Sequence, residues 1–246
     1  MTNSALALML KQLRLTTVLK NYSDFAKEAS TSNQTYESYL KALIQEEVNY
    51  RSNNLISRLI FNAKFDQLKT IEEFRFEDVP NLHKPKVIQL TDCHFIDKKE
   101  NICFLGQAGA GKSHLAKAIA YEACKKKYAV RFIQAAILVN EFLEAKQNYS
   151  LSKIIDKYKK YQLIVLDELG YIPFSKEGSE LLFQFFSDRY EHASIIVTTN
   201  LEFGDWTRFL GDPTMTAALL DRFTHHCHIF TLNTESFRFK QRKKDA

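Results

Sequence analysis

The chain contains only seven glycines, and three of them lie within residues 104–113, FLGQAGAGKS. This stretch matches the pattern G-x-x-x-x-G-K-[ST]. Glycines allow a tight loop with inward-facing backbone N–H groups, because a Cβ would keep phosphate oxygens away from the backbone. Residues 102–105 read as a short buried strand before the loop, and residues 112–124 have the apolar spacing of a helix after it. The stretch therefore predicts a phosphate-binding loop between a strand and a helix.

The end of this loop carries the side chains that a bound nucleotide requires. Lys112 can reach the β- and γ-phosphates, and the Ser113 hydroxyl can ligate Mg²⁺. The N-terminus of the following helix adds partial positive charge where the phosphates would lie. The predicted nucleotide-binding residues of the loop are Gly106, Gln107, Ala108, Gly109, Ala110, Gly111, Lys112, Ser113 and His114.

A second group of functional residues is predicted where an apolar segment ends in two acids. Residues 162–166 read as a strand, and Asp167 and Glu168 follow directly. A strand buried on both faces cannot hold carboxylates, so the acids belong at its tip. In a phosphate-loop sheet this tip faces the phosphates, outside the carboxyl ends of the strands. We therefore predict that Asp167 holds Mg²⁺ through water and that Glu168 activates the attacking water as general base.

A third polar residue, Asn200, follows the apolar run at residues 195–197 and two threonines. Its side-chain amide can both donate and accept hydrogen bonds. If this strand lies between the phosphate-loop strand and the Asp167 strand, Asn200 can bridge the γ-phosphate and the attacking water. The alternative interpretation is an asparagine in an ordinary turn from strand to loop.

The first part of the chain is predicted to be a small helical domain. Residues 1–66 contain no glycine and no proline, which favours helices. Apolar spacing indicates three amphipathic helices, the second of which would begin with Ser32 or Asn33 as its cap.

Residues 67–100 are interpreted as a joint between two domains. Pro80 and Pro85 interrupt any helix nearby. Phe74 and Phe76 could wall an adenine pocket, and packing between domains is the alternative.

Residues 101–246 alternate between strands and helices, which is the pattern of an α/β fold with a parallel sheet and helices on both faces. The predicted strands are 102–105, 129–133, 162–166, 194–199 and 227–232. The predicted helices are 112–124, 136–160 with a break near Ser150, 178–192 and 214–225.

The order of these motifs resembles that of the AAA+ ATPases. Four finer strings narrow the resemblance: GKSHLA at 111–116, LDELGY at 166–171, LLDR at 219–222 and ESFR at 235–238. Together they resemble the IstB-type helper ATPases of insertion-sequence transposons, relatives of the DnaC-type helicase loaders, over nearly the whole chain. The resemblance implies a P-loop NTPase core of the AAA+ type that uses ATP and Mg²⁺.

The resemblance also assigns roles that spacing alone does not. Asn200 matches the first sensor. Arg222 matches the arginine finger that reaches the γ-phosphate of a neighbouring subunit, with Arg189 and Arg208 as alternatives. Arg238 matches the second sensor, which contacts nucleotide in its own subunit. Only eight residues follow Arg238, so no full helical lid domain is expected.

Composition indicates the cellular compartment of the protein. The net charge is +5. The four cysteines form no C-x-x-C pair, which indicates reduced cytosolic thiols. The apolar residues 5–10 are too short to span a membrane and lack the preceding basic residues of a signal peptide. We therefore expect a soluble, cytoplasmic protein without a membrane partner.

Two further groups of residues have the side chains of possible binding sites. Lysines in the helical insertion between the second and third strands are the candidates for DNA phosphates, and a solvated helix face is the alternative. They are Lys146, Lys153, Lys157, Lys159 and Lys160. The string His225, His226, Cys227, His228 lacks the usual spacing of zinc ligands and is interpreted as a structural junction.

The predicted function is that of an ATP-dependent DNA-binding helper for transposition. ATP would assemble a homo-oligomeric ring or spiral on duplex DNA, which would present that DNA to an integrase-like transposase. The nearest alternative is a DnaC-like loader of a replicative helicase. A small-molecule P-loop kinase would need an acceptor pocket and an arginine-bearing lid, which the sequence does not indicate, and a scaffold without turnover would not need Glu168 and Asn200.

Overall fold

A computed structural model describes residues 4–233 of the protein. The chain divides into two compact units between Arg58 and Leu59. The first unit consists of α1 (Ser4–Gln12), α2 (Thr16–Thr31) and most of α3 (Tyr36–Ala63), and the division falls within α3.

The helical character predicted for the first unit is confirmed, but the number and bounds of its helices differ. The predicted second and third helices form one continuous helix, α3, since nothing in this glycine- and proline-free sequence interrupts it. The side chain of Thr35 accepts the Ser38 N–H at 3.2 Å, so Thr35 takes the cap position expected for Ser32 or Asn33. Helix α2 was not predicted.

A buried carboxylate joins α2 to α3 within the first unit. Glu47 is almost fully buried, and its Oε2 accepts the backbone N–H groups of Thr17 at 2.8 Å and Val18 at 3.3 Å. Its Oε1 accepts the Arg51 Nε–H at 2.7 Å. Burial raises the pKa of the Glu47 carboxyl, but the hydrogen bonds from Arg51 and the α2 N-terminus outweigh it and hold the pKa below its usual value.

The second unit is built on a parallel sheet of five strands within residues 101–232, with the order β2-β3-β4-β1-β5. This confirms the predicted α/β fold with a parallel sheet. The strands are β1 (Asn101–Gly106), β2 (Val130–Gln134), β3 (Leu163–Leu169), β4 (Ser194–Thr199) and β5 (Cys227–Leu232).

Helices precede the sheet and connect its strands. Those before β1 are α4 (Lys84–Leu90) and α5 (His94–Asp97), with a 3-10 turn at Phe76–Asp78. Those after β1 are α6 (Lys112–Lys125), α7 (Ala135–Gln147), α8 (Leu151–Lys159), α9 (Lys176–Arg189), α10 (Thr207–Leu210) and α11 (Pro213–Thr224). The break predicted near Ser150 is confirmed, because α7 and α8 are separated there.

Each face of the sheet packs against its own apolar core. Successive residues of β1 alternate between the two cores: Ile102 and Phe104 belong to one, and Cys103 and Leu105 to the other. This alternation follows from the period-2 geometry of a strand. All four side chains are buried, as expected for a parallel sheet covered on both faces.

The segment interpreted as a joint belongs to the second unit. Val79, Val87 and Phe95 are buried in the core that also contains Ile102. Pro85 does not interrupt a helix as expected but lies in the first turn of α4, where the missing N–H of proline has no helical partner to lose.

No helix within residues 4–233 combines the length and the apolar character needed to cross a membrane.

Candidate functional site: a phosphate loop with a paired acid and a facing segment

The phosphate loop connects β1, which ends at Gly106, to α6, which begins at Lys112. Gly106 has φ +148°, and a Cβ there would collide with the backbone carbonyl of Leu232 on β5. Gly111 has φ +96°, a conformation that side chains with a Cβ rarely adopt. The loop therefore requires glycine at both positions for backbone reasons alone.

The buried Lys112 side chain folds back over this loop. Its Nζ donates to Gly106 O at 2.7 Å and to Gln107 O at 2.8 Å. The ammonium group is thus held at the centre of the loop, where a phosphate can compete for it.

Asp167, near the end of β3, meets the loop across the edge of the sheet. It is buried, and its Oδ1 accepts the Ser113 hydroxyl at 2.7 Å and the Thr198 hydroxyl at 2.5 Å. Ser113 and Asp167 are thus brought together from positions far apart in the chain, as the Mg²⁺ prediction requires. Thr198, on β4, is a member of this cluster that sequence reasoning missed.

Glu168 points differently from its neighbour because β3 is irregular there. The register between β3 and β4 shifts between Leu166 and Leu169, and Glu168 has φ +59°. Its N–H donates to Thr198 Oγ1 at 3.0 Å. Such a bulge re-aims a side chain, and the Glu168 side chain is exposed and lines the cavity described next.

A cavity of about 420 Å³ opens above the loop and is closed on its other side by residues 66–79, here called the wall segment. Its volume suits a small ligand. The loop residues that line it are Ala108, Gly109, Ala110, Gly111, Lys112, Ser113 and His114. Lining residues from elsewhere include Lys117, Glu168, Tyr171 and Thr198.

The wall segment is fastened to α6 through His114 and Phe74. The His114 Nε2 group lies 2.8 Å from Thr70 O, and the rings of Phe74 and His114 meet edge to face at 5.4 Å. Burial lowers the pKa of His114, and Nε2 is the donor in this contact because a carbonyl oxygen can only accept. Phe74 lines the cavity, whereas Phe76 packs against Phe74 with ring centroids 4.9 Å apart.

The residues of this site fit Mg²⁺ and a nucleotide. A hydroxyl and a carboxylate 2.7 Å apart are the hard oxygen ligands that Mg²⁺ prefers. Ser113 and Asp167 would hold Mg²⁺, which would supply positive charge to neutralise the phosphate oxygens. On the far side of the cavity, the Phe74 ring provides an apolar contact for a base.

Comparison with known proteins identifies the family. The family model described as "IstB-like ATP binding protein" matches residues 8–245. The chain belongs to this family. It is 38% identical over 232 residues to the "Insertion sequence IS5376 putative ATP-binding protein" of Geobacillus stearothermophilus, with 94% of this chain and 92% of that protein covered. It is 30% identical over 239 residues to the corresponding protein of insertion sequence IS21 from Pseudomonas aeruginosa, with 97% and 90% covered.

Solved structures agree on the fold of this IstB-like protein. The DnaI structure has a TM-score of 0.55 at 18% identity, covering 68% of this chain and 89% of that one. The DnaC helicase loader has a TM-score of 0.51 at 18% identity, covering 71% and 96%. AMPPCP-bound DnaA from Aquifex aeolicus has a TM-score of 0.57 at 20% identity, and the match covers 72% of this chain and 54% of DnaA. At these identities the likeness establishes the shared AAA+ fold.

Asn200 lies directly beyond the end of β4, which is between β1 and β3 as the sensor prediction requires. Its side chain is exposed. Among the described residues that line the cavity, β4 is represented by Thr198 and not by Asn200. The sensor role of Asn200 stays a prediction.

The three candidate finger arginines lie in different environments. Arg189 is buried and donates to the carbonyls of Tyr158, Tyr161 and Ser194, so it cannot cross a subunit interface and is removed from the alternatives. Arg208 is exposed and pairs with Asp205 at 3.0 Å.

Arg222, on α11, lies against α9. Its Nη1 donates to Ser187 Oγ at 2.8 Å, and its guanidinium lies 4.9 Å from the Phe183 ring centroid. The finger role of Arg222 stays a prediction. Arg238 lies outside the described residues. The residues after it, on which the expected lack of a full lid domain depends, also lie outside them.

The insertion lysines are on α7 and α8 or just after them, as predicted. Lys146 pairs with Glu177 at 2.7 Å, Lys157 with Glu141 at 3.4 Å and Lys159 with Asp188 at 3.8 Å. Lys153 and Lys160 are exposed. The charge of this surface is therefore partly balanced.

The histidine string lies at the junction of α11 and β5. His228 contacts Glu100 at 2.8 Å, and His225 contacts the Tyr190 hydroxyl at 3.0 Å. These side chains diverge to separate partners, and no group of three or more His, Cys, Asp or Glu suited to a metal ion occurs in the described part of the chain.

Gln134, the last residue of β2, is a second contact that sequence reasoning missed. Its Nε2 donates to Glu168 Oε2 at 3.0 Å. Gln134 is paired with Asp167 in the register of β2 and β3. The sequence signal for this contact is a polar residue at the carboxyl end of a strand. It could be interpreted only once β2 was known to lie beside β3.

Proposed function

We propose that this chain hydrolyses ATP with Glu168 as general base. Glu168 would take a proton from water while the water oxygen bonds to the γ-phosphorus and the bond to the β–γ bridging oxygen breaks. The observation that carries the proposal is the cluster in which Ser113 and Thr198 both donate to Asp167, with Glu168 beside it on the cavity. This arrangement separates one acid for the metal from one acid for the water.

We further propose that subunits assemble so that Arg222 of one completes the site of the next. Its contacts with Ser187 and Phe183 hold it half-buried against α9, and it is not among the described residues that line the cavity of its own subunit. A guanidinium held at another surface suits a role across an interface, where an arginine finger contributes on the order of 10³ to 10⁵ in rate.

The assembly would bind duplex DNA and deliver it to an integrase-like transposase. The similar proteins from Geobacillus stearothermophilus and Pseudomonas aeruginosa carry insertion-sequence names, which favours transposition over helicase loading. DNA binding through lysines and arginines would be salt-sensitive and largely tolerant of sequence. The DnaC-like loader remains the alternative because that protein shares the fold.

The decisive experiment measures ATP turnover with and without duplex DNA for Glu168→Gln. We expect turnover to fall by about 10²- to 10⁴-fold, the usual contribution of a general base, with ATP-dependent assembly on DNA retained. Glu191→Gln is the matched control, because Glu191 is also exposed and also has φ +59°. Wild-type turnover in Glu168→Gln would refute the role of Glu168.

A mixing experiment tests the shared site. Glu168→Gln subunits and Arg222→Ala subunits, each inactive alone, should recover turnover when mixed, because some interfaces then combine intact partners. Ser187→Ala removes the hydrogen-bond partner of Arg222 and leaves the arginine, so it controls for loss of local packing. If Arg208→Ala behaves in this way and Arg222→Ala does not, Arg208 is the finger.

The protein that binds the assembly distinguishes a transposition helper from a helicase loader. The DNA-bound protein should retain the transposase encoded beside it, and retention of a replicative helicase instead would favour the loader. An adjacent reading frame for an integrase-like enzyme is the simplest supporting observation.

A further inference from the structure

The turn between α7 and α8 places an aromatic side chain at a backbone position that usually holds glycine. Helix α7 ends at Gln147. The Ser150 N–H donates to Ala145 O at 2.8 Å. The Tyr149 N–H donates to Lys146 O at 3.1 Å. These two bonds form a Schellman helix end, whose left-handed residue is most often glycine. In this chain that residue is Tyr149, with φ +52°.

Tyr149 gains no packing in return for this conformation. Its side chain is 99% exposed. A left-handed conformation is unfavourable for any residue with a Cβ, and among the residues that the structure describes Tyr149 is the only aromatic one with a positive φ. Because the ring does not stabilise the fold of this chain, its position suggests a contact with another molecule.

The end of α6 shows what this motif looks like without such a ring. The Tyr128 N–H donates to Ala123 O at 3.0 Å, and the Lys127 N–H donates to Cys124 O at 2.9 Å, so the same two bonds close the helix. The left-handed residue there is Lys127, with φ +71°. A lysine side chain is commonly exposed to water at the protein surface, whereas a fully exposed tyrosine ring is unusual.

The surroundings of Tyr149 are suited to a nucleic acid. Residues 143–160 contain five lysines and two acids, Glu144 and Asp156. Three of these lysines pair with acids outside this stretch, so the positive charge of the surface is partly balanced. Lys153 is exposed in the first turn of α8, and the polar side chains of Asn148 and Ser150 flank the ring in the sequence. Cationic and hydroxyl groups bind phosphates, and an exposed ring stacks on the face of any base.

We propose that Tyr149 stacks on a base of the bound duplex DNA, at a step that the contact partly opens, while the flanking lysines hold the adjacent phosphates. This inference rests on the proposed DNA-binding function and names the residue that adds a contact beyond charge. Every base offers a π-face, so the contact strengthens binding without selecting a sequence.

The test measures the affinity of the full chain for a duplex over a range of salt concentrations, with Mg²⁺ and a non-hydrolysable ATP analogue. Tyr149→Gly should weaken binding between about fivefold and a hundredfold, as loss of one base stack does, without changing the slope of log affinity against log salt. Tyr149→Phe should keep the affinity of the wild type. Lys153→Ala should instead reduce the slope by about one.

Thermal unfolding excludes misfolding as the cause, because glycine suits the left-handed position. Tyr149→Gly and the matched variant Lys127→Gly should both unfold at or above the wild-type temperature. If Tyr149→Gly bound DNA as tightly as the wild type, the stacking role would be overturned. It would also be overturned if Tyr149→Gly failed to assemble with ATP when DNA is absent. Either result leaves the proposed function intact. A wild-type protein that binds no DNA at any salt concentration would overturn both.

Discussion

The two sides of the cavity above the phosphate loop are built differently. The phosphate side consists of backbone geometry and paired polar groups: glycines with positive φ, Lys112 on loop carbonyls, and Asp167 between two hydroxyls. The opposite side is the wall segment, held to α6 by the Phe74 ring, by one hydrogen bond from His114 and by an ion pair between Asp66 and Lys117 at 2.7 Å.

This difference assigns phosphate binding to one side of the cavity and recognition of the rest of the ligand to the other. The phosphate side is built to bind any triphosphate, since it would contact only the groups that all nucleotides share. The wall segment is placed to contact the rest of the ligand, because it lies across the cavity from the loop and offers Phe74 and Val79 there among charged and polar side chains. Substitutions on the two sides should therefore give different kinetic signatures.

The largest effect should come from Asp167→Asn on the phosphate side. Asparagine keeps an oxygen to accept from Ser113 and Thr198, so the thermal unfolding temperature should change little. The variant should lose the metal-holding charge, and Mg²⁺-dependent turnover should fall by about two to three orders of magnitude. Thr198→Val keeps the carboxylate and removes one hydrogen bond to it, so a smaller loss is expected. Near-normal turnover in Asp167→Asn would mean that Asp167 serves only as a structural acceptor.

Gly111→Ala should disturb both sides at once. An alanine Cβ would lie 2.7 Å from Phe74 Cε2, and φ is +96° at this position. We expect a loss of about 1–3 kcal/mol in the free energy of unfolding and weaker binding of ATP. Combining it with Phe74→Ala should relieve the contact but not the backbone strain. Gly204→Ala is the control, because a Cβ there meets nothing within 4 Å, and an equal cost at both glycines would contradict this account.

Phe74→Ala should weaken ATP binding by about tenfold, the loss of roughly 1.5 kcal/mol of ring contact. Equilibrium binding of ATP and of inorganic triphosphate separates the two sides. The Phe74 variant should bind triphosphate as the wild type does, whereas Lys112→Ala should lose affinity for both. If Phe74→Ala weakened both ligands equally, the wall segment would act through the loop and not through the base.

The smallest effect should come from His114→Ala. It removes the 2.8 Å hydrogen bond to Thr70 O and one edge-to-face ring contact, worth about 1 kcal/mol or a few-fold in ATP affinity. The exposed His192, changed to alanine, provides the comparison in the same assay. Turnover at saturating ATP should be unchanged, and a fall in it would place His114 nearer to the chemistry than its contacts suggest.

Local patterns in the sequence were sufficient wherever structure depends on near neighbours. The glycine spacing at 106–111 predicted the loop, and the strands 194–199 and 227–232 were predicted with the bounds that the structure has. Local signals failed for α2, whose weak capping left no clear start, and for Pro85, which begins a helix at a place where a break was expected.

The motifs alone determined that this chain has a phosphate loop, an acid pair at the end of a buried strand and a parallel sheet, although β3 runs past the predicted end at 166 and includes both acids. Only the tertiary structure decided that Thr198 and Gln134 contact those acids, that Arg189 is buried in the core, and that the wall segment faces the loop. The physical reason is that a motif depends on adjacent residues, whereas these contacts depend on strand order and on a single bulge in β3, which no short stretch of sequence encodes.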